Sequence, residues 1–429
     1  MKISTLHKLF SIIVALATLL SACGTSPSAN MAQSSLKRVT SPNVPSDDSQ
    51  ALVEGNNTFA LDIYQTLSGE DGNLILSPFS MSLALAMVYA GARGETELQM
   101  ADTLHFDLPQ GQLHPAFNAL DQDLASPGKA KSDDEEPLQL NIANAVWAEQ
   151  TYPFLQDFLD VIASNYGAGI ALADFINQYE RIRKDINDWV YDETQEKIKD
   201  LIPEGILNAD TRMVLVNAIY FKADWLDQFS SYETRDLPFH LLDGSEVTVK
   251  MMKQSISAPY YRGDGFQAVE LAYAGDTAAM DILVPDEGNF EALESTFNSN
   301  LYDQTLDGLQ HPSFFDIYMP KFTFESSFDL SDTLKSIGMV DAFDPDSADL
   351  SGMTAQNDLF ISKVIHKAFV AVDEGGTEAA ASTAGFAQIT SALEGGSSTL
   401  VIDRPFIFII RDISSGQILF IGRVLNPTQ

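Results

Sequence analysis

Residues 373–399 read DEGGTEAAASTAGFAQITSALEGGSST, and how this stretch is interpreted decides the fold. It is preceded by LFISKVIHKAFVAV (359–372) and followed by LVIDRPFIFII (400–410), both rich in β-branched and aromatic residues. Two strands are thus joined by a loop far longer than the usual four to six residues, a length characteristic of functional or disordered segments. Its Ala, Ser, Thr and Gly, with scattered Phe386, Ile389 and Leu393, differ from the Pro- and Lys-rich composition of a disordered linker. With a period of two, Thr377, Ala379, Ala381, Thr383, Gly385, Ala387 and Ile389 share one face while Glu378 points the other way. The segment therefore reads as a strand held in reserve, small enough to slide into a packed sheet. The competing reading is a flexible loop without a role.

Working outward, Phe59, Ile63 and Leu67 recur at helical spacing, and Ser77-Pro78 is an N-cap and first-turn signal for a helix ending near Gly91. Pro153 opens a stretch carrying Phe154, Phe158 and Ile162 that Gly167 closes, and Ile182, Ile186 and Trp189 mark another helix. MVLVNAIYF, FFDIYMPKFTF, the two loop flanks and a C-terminal hairpin of RPFIFII and QILFIGRV joined through Ser414, Ser415 and Gly416 read as strands. Helices come first and sheets dominate later, which is the α+β class.

The N-terminus has Lys2 and Lys8, an apolar run from Leu9 to Leu20, and then Ser21, Ala22 and Cys23. This is a signal-peptide pattern of bacterial lipoprotein type over 1–22, with Cys23 as the lipidated residue; the alternative is an ordinary signal peptide with an incidental cysteine. Gly24 rather than Asp after Cys23 favours an outer membrane or cell-surface location. Residues 23–50, rich in Ser, Pro, Asn and Asp, read as an unfolded tether, leaving 51–427 as one domain. Cys23 is the only cysteine, so no intramolecular disulfide is available.

The net charge of −35, from 25 basic and 60 acidic residues, argues against nucleic acid as a partner. Arg181, Arg183 and Lys184, with Asp185 beside them, make no polyanion patch. The acidic run Asp133–Glu136 reads as a solvated loop, since four adjacent carboxylates cannot converge on one ion. Neither GxSxG, HExxH nor a phosphate-binding glycine loop occurs, and His366 lies inside a strand, so the sequence carries no enzyme signature and calls for no metal or cofactor.

The run EGGTEAAASTA (374–384) resembles the hinge of the serpins, the serine protease inhibitors whose cleaved loop inserts into their own central sheet. NLILSPFSMSLALAMVYAGARGET, MVLVNAIYFKADW, MPKFTFESSFDLSDTLKSIGM, ISKVIHKAFVAVDEGGTEAAA and DRPFIFIIRDISSGQILFIGRVLNP extend the resemblance over about 51–427. It implies eight or nine helices around three β-sheets, an exposed reactive loop at about 373–399, a monomer, and a covalent complex with a serine protease. The hinge would be Glu374, Gly375, Gly376, Thr377, Glu378, Ala379, Ala380 and Ala381, with Gly375 where family members often carry a charge. Ser77, Ser80, Asn217 and His366 would form the cluster beneath the point where the sheet parts, and Lys321 would pair with Glu374 near Trp225 at the top. Counting forward from Glu374 puts the reactive bond at Thr390–Ser391; counting back from Pro405 puts it nearer Leu393–Glu394. No Lys or Arg lies between Asp373 and Asp403, which disfavours trypsin-like targets and leaves elastase-, chymotrypsin- or subtilisin-like ones. The alternative within the resemblance is a non-inhibitory binding module or chaperone, and the small, uncharged face of the hinge argues against it, because burying a charge there would be costly.

Overall fold

The computed structural model describes residues 30–125, 139–356, 358–377 and 398–429. In chain order the first half comprises β1 (Asn30–Ala32), α1 (Ser46–Leu67), β2 (Leu74–Leu76), α2 (Pro78–Tyr89), α3 (Gly94–Leu104), α4 (Gln110–Leu124), β3 (Gln139–Glu149), α5 (Gln156–Tyr166), β4 (Ile170–Ala173), α6 (Phe175–Glu193) and β5 (Met213–Asp224). The second half comprises β6 (Arg235–His240), β7 (Glu246–Arg262), β8 (Phe266–Ala272), β9 (Ala278–Pro285), α7 (Phe290–Thr296), α8 (Ser299–Gly308), β10 (Pro312–Pro320), β11 (Phe322–Asp329) and α9 (Ser331–Ser336). It ends with β12 (Lys363–Val372), β13 (Gly376–Thr377), β14 (Ser398–Val401), β15 (Phe406–Asp412) and β16 (Ile418–Val424). Nine α-helices among the described residues and a preponderance of strands late in the chain make the class α+β.

The central sheet has seven strands in the order β1-β4-β3-β5-β13-β12-β11. Both its faces are covered. On one side α6 packs Phe175, Ile182, Ile186 and Val190 against Trp147, Val214 and Val216. On the other lies α2, every residue of which is buried, as expected of a helix apolar all round. A strand enclosed on both faces needs no alternation, which explains why β5 reads as a nearly continuous apolar run. The remaining nine strands form a path of eight, β14-β10-β7-β8-β9-β15-β16-β2, with β6 as the ninth beside β7. The long β7 pairs with β6 and β10 along its first part and with β8 at its end, so it joins two sheets and gives three in all.

Two expectations are corrected. FFDIYMPKFTF is not one strand: Pro320, which lacks an N–H, ends β10 in one sheet and β11 starts at Phe322 in another. Lys321 occupies the corner, its N–H bonded to the Lys250 carbonyl at 2.8 Å. The second correction concerns 23–50, which is folded from Asn30 onward. Asn30, Met31 and Ala32 pair antiparallel with Leu172, Ala171 and Ile170 of β4, and α1 begins at Ser46. Between them Arg38 donates to the Asn118 side chain at 2.7 Å and pairs with Asp121, while Asn118 donates back to the Val39 carbonyl at 2.9 Å. Composition concealed this because few of the bonds involve large apolar side chains. Residues 1–29 and 126–138, which include Cys23 and the acidic run, lie outside the described residues.

Arg38→Ala removes the pairing to Asp121 and one of the two donors to the buried Asn118 oxygen, which keeps Gln122. It should cost on the order of 1 kcal/mol in urea unfolding, whereas substitution of the nearby exposed Leu36 by Ser should change little.

Candidate functional site: the seam of the central sheet

All described neighbours of β5 and β12 but one run antiparallel to them; the exception is their own pairing, which is parallel and spans Val214–Tyr220 against Lys363–Phe369. This seam carries the polar residues that interrupt otherwise apolar strands. Register places Asn144 of β3 opposite Asn217 of β5, and Asn217 opposite His366 of β12, so three polar side chains lie in a row across three strands. The start of α2 lies against the row. The Asn217 amide donates to Ser80 Oγ and to Asn144 Oδ1, and its oxygen accepts from His366 Nδ1 across the seam. His366 Nε2 accepts the Ser77 N–H at 3.2 Å, while Ser77 Oγ donates to the Leu419 carbonyl at 2.8 Å instead of capping α2. These bonds require neutral imidazole with its proton on Nδ1, and full burial pushes His366 down to about 3.

The four cluster residues expected from sequence are therefore brought together, and Asn144 is a fifth that sequence reasoning passed over. Its signal was present: an amide within the apolar strand IANAVW is as anomalous as Asn217 in its own.

At the top of the seam the pairing stops at Tyr220 and Phe369, and the gap beyond is occupied by β13. Thr377 pairs with Val372 on one side and Ala223 on the other, antiparallel to both. Gly376 passes so close to β5 that a Cβ would lie 2.1 Å from the Ala223 carbonyl oxygen, which only glycine avoids. Lys321 Nζ meets Glu374 Oε2 at 2.6 Å, and Glu374 Oε1 accepts from Thr234 at 2.7 Å. Partial burial works against the ionised Glu374 carboxylate, but these two bonds outweigh it and hold it below its ordinary value. Trp225 donates its indole N–H to the Asp373 carbonyl at 3.0 Å and its backbone N–H to the Gly375 carbonyl at 2.8 Å. Trp225, Lys321 and Glu374 thus surround the hinge, with Asp373 and Thr234 as further members. Glu378, Ala379, Ala380 and Ala381, and both expected reactive bonds, Thr390–Ser391 and Leu393–Glu394, lie outside the described residues.

No group of His, Cys, Asp or Glu able to hold a metal ion occurs among the described residues. Arg183 and Arg181 are taken up by Glu180 and Asp185 on the same helix.

The family model described as "Serpin (serine protease inhibitor)" matches residues 54–427. A curated relative, the leukocyte elastase inhibitor of Sus scrofa, is 40% identical over 388 residues, covering 88% of this chain and 100% of the relative. Among solved structures, the thermophilic serpin tengpin in its native state superposes with a TM-score of 0.80 at 28% identity, covering 92% of this chain and 100% of that one. Thyroxine-binding globulin in complex with thyroxine gives 0.78 at 30% identity, covering 89% and 100%.

Two outcomes follow from the geometry. Gly376→Ala should leave the body folded but expel β13 from the gap, read as loss of hydrogen-exchange protection in a peptide spanning 370–377. The second concerns acid. In the unfolded chain histidines near 6.5 take up protons that native His366 refuses until about 3 and native His114, also buried, until about 4. Stability held above pH 6.5 is accordingly lost as pH falls, approaching about tenfold in the unfolding constant per pH unit for each histidine. A urea midpoint that falls from pH 6 to pH 5, with His366 imidazole signals unmoved by NMR, is expected.

Proposed function

The chain belongs to the serpin family, and on that premise we propose that it consumes itself in trapping serine endopeptidases of elastase-, chymotrypsin- or subtilisin-like specificity. It is an inhibitor and not an enzyme. The fold alone does not decide inhibition, since a similar fold occurs in thyroxine-binding globulin in complex with thyroxine. The observation that carries the reading is β13, the start of the loop already seated between β5 and β12 in a register that can be continued.

Extending both of its registers down the seam gives one answer from either side. Thr383 falls level with Asn217 and His366, and Phe386 level with Val214 and Lys363, the last parallel pair. The strand so formed would be antiparallel to both neighbours and would replace a parallel pairing with two antiparallel ones, the slightly more stable arrangement per residue. It must part the His366–Asn217 bond, and Thr383 brings a hydroxyl to that level. Small residues at Ala379 and Ala381 suit a space between packed faces.

In the proposed reaction the protease's serine Oγ attacks the Thr390 carbonyl carbon, the C–N bond to Ser391 breaks, and the new amine leaves with a proton. An ester then joins loop to protease. Insertion carries the ester toward the far end of the seam before water can cleave it. Thr390 lies three residues beyond Ala387, which is level with Met213 at the start of β5; at roughly 3.4 Å per residue that is about 10 Å past the strand end, enough to leave the ester outside the sheet. Leu393 would lie farther out still, so the forward count is preferred on the insertable length that the mechanism constrains. Lipid attachment at Cys23 and an outer-membrane or surface location are proposed from Lys2, Lys8, the apolar run to Leu20 and Ser21-Ala22-Cys23.

The test uses the chain from Gly24 onward, which keeps β1, incubated with elastase, chymotrypsin, subtilisin and trypsin. A complex stable in denaturing gels with one of the first three, and a released peptide starting at Ser391, is expected. Cleavage without a complex and without a gain in thermal stability would overturn inhibition in favour of a binding role. Loss of radiolabelled fatty acid from Cys23→Ser would support the anchor; equal labelling would remove it.

A further inference from the structure

Thr377 is held by more than backbone pairing. Its Oγ1 lies 2.8 Å from the Tyr273 hydroxyl, and both side chains are completely buried. Tyr273 follows β8 and so belongs to the other sheet system, with its N–H bonded to the Ala278 carbonyl at 2.9 Å. Its ring is fixed from two sides, stacked on Trp225 at 4.6 Å and 8° and edge-on to Phe221 at 5.1 Å. The hydroxyl is thus aimed rigidly at the first position of the gap. Among the described residues the bond to Thr377 is the one that satisfies the Tyr273 hydroxyl. If the hinge withdrew, that hydroxyl would be left in an apolar site without a partner, which native structures avoid.

We infer that Tyr273 is a positioning residue for loop insertion: its hydroxyl holds Thr377 in the first register position of the seam, so that a cleaved loop extends a seated strand instead of having to find the gap. The inference rests on the inhibitory reading above and concerns the speed of insertion relative to hydrolysis of the ester. Seating costs nothing at the bond that the protease cuts, because Thr377 and Thr390 are thirteen positions apart.

The experiment uses the chain from Gly24 with Tyr273→Phe, which keeps the stack on Trp225; Thr377→Val, which keeps the shape of the threonine; Thr377→Ser, which keeps a hydroxyl; and the double variant Tyr273→Phe/Thr377→Val. Amide exchange of a peptide spanning 373–377 is measured without protease. Inhibitor consumed per protease trapped, and kcat/KM for loop cleavage, are measured with it. Tyr273→Phe and Thr377→Val should each raise exchange by about two- to tenfold, the value of one hydrogen bond. Each should raise inhibitor consumption in step while leaving kcat/KM for cleavage unchanged. Thr377→Ser should behave as wild type, and the double variant should be no worse than either single. Unchanged exchange and consumption, or additive effects in the double variant, would overturn the role of Tyr273. If no protease yields a complex, the inhibitory reading fails, whereas altered exchange would still show that the hydroxyl seats the hinge.

Discussion

The hydrogen bond from His366 to Asn217 crosses the parallel pairing of β5 with β12 in the central sheet, and the state of the molecule depends on it. It joins two groups of strands, β1-β4-β3-β5 and β12-β11, whose other contacts lie mostly within each group. A neutral imidazole is needed for the bond, and α2 supplies the remaining partners through Ser77 and Ser80. Because Ser77, Ser80, Asn217 and His366 are all buried, no water stands ready to replace a partner lost at the seam. The sheet is in this sense closed by polar groups set into an apolar interior.

The top of the seam follows a different principle. There the strands diverge, and the gap is filled by the beginning of the segment that could fill all of it. Gly376 permits close passage, Thr377 contributes a buried hydroxyl, and Glu374 is pinned by Lys321 and Thr234. The ion pair is partly exposed and contributes modestly. The buried contacts around Trp225 and Tyr273 set the geometry, since their rings cannot shift without disturbing Phe221 and the strands behind it.

The fold was legible where period and chemistry agreed. Phe59, Ile63 and Leu67 mark α1, Pro78 starts α2, and Gly167 ends α5 in a left-handed conformation at φ 65°. Asn217 and His366 stood out because polar side chains in apolar runs must find partners, whereas Ser77 and Ser80 were placed with them by the family resemblance. It was illegible where a backbone turn intervened: Pro320 and Lys321 divide one apolar run between two sheets. It was illegible too where polar residues do the binding, as in 30–45, whose hydrogen bonds to α4 and to β4 have no compositional signature.

The sequence by itself determined the α+β class, the acidic surface, the lack of an enzyme signature and the unusual hinge, because these depend on residue type and local spacing. Tertiary structure alone decided that Asn144 completes the polar row and that Tyr273 meets Thr377. It also decided that the β5–β12 pairing is parallel and that the N-terminal segment adds a strand to the sheet. Each of these rests on register between strands distant in the chain, where one residue of slip would turn every side chain to the opposite face.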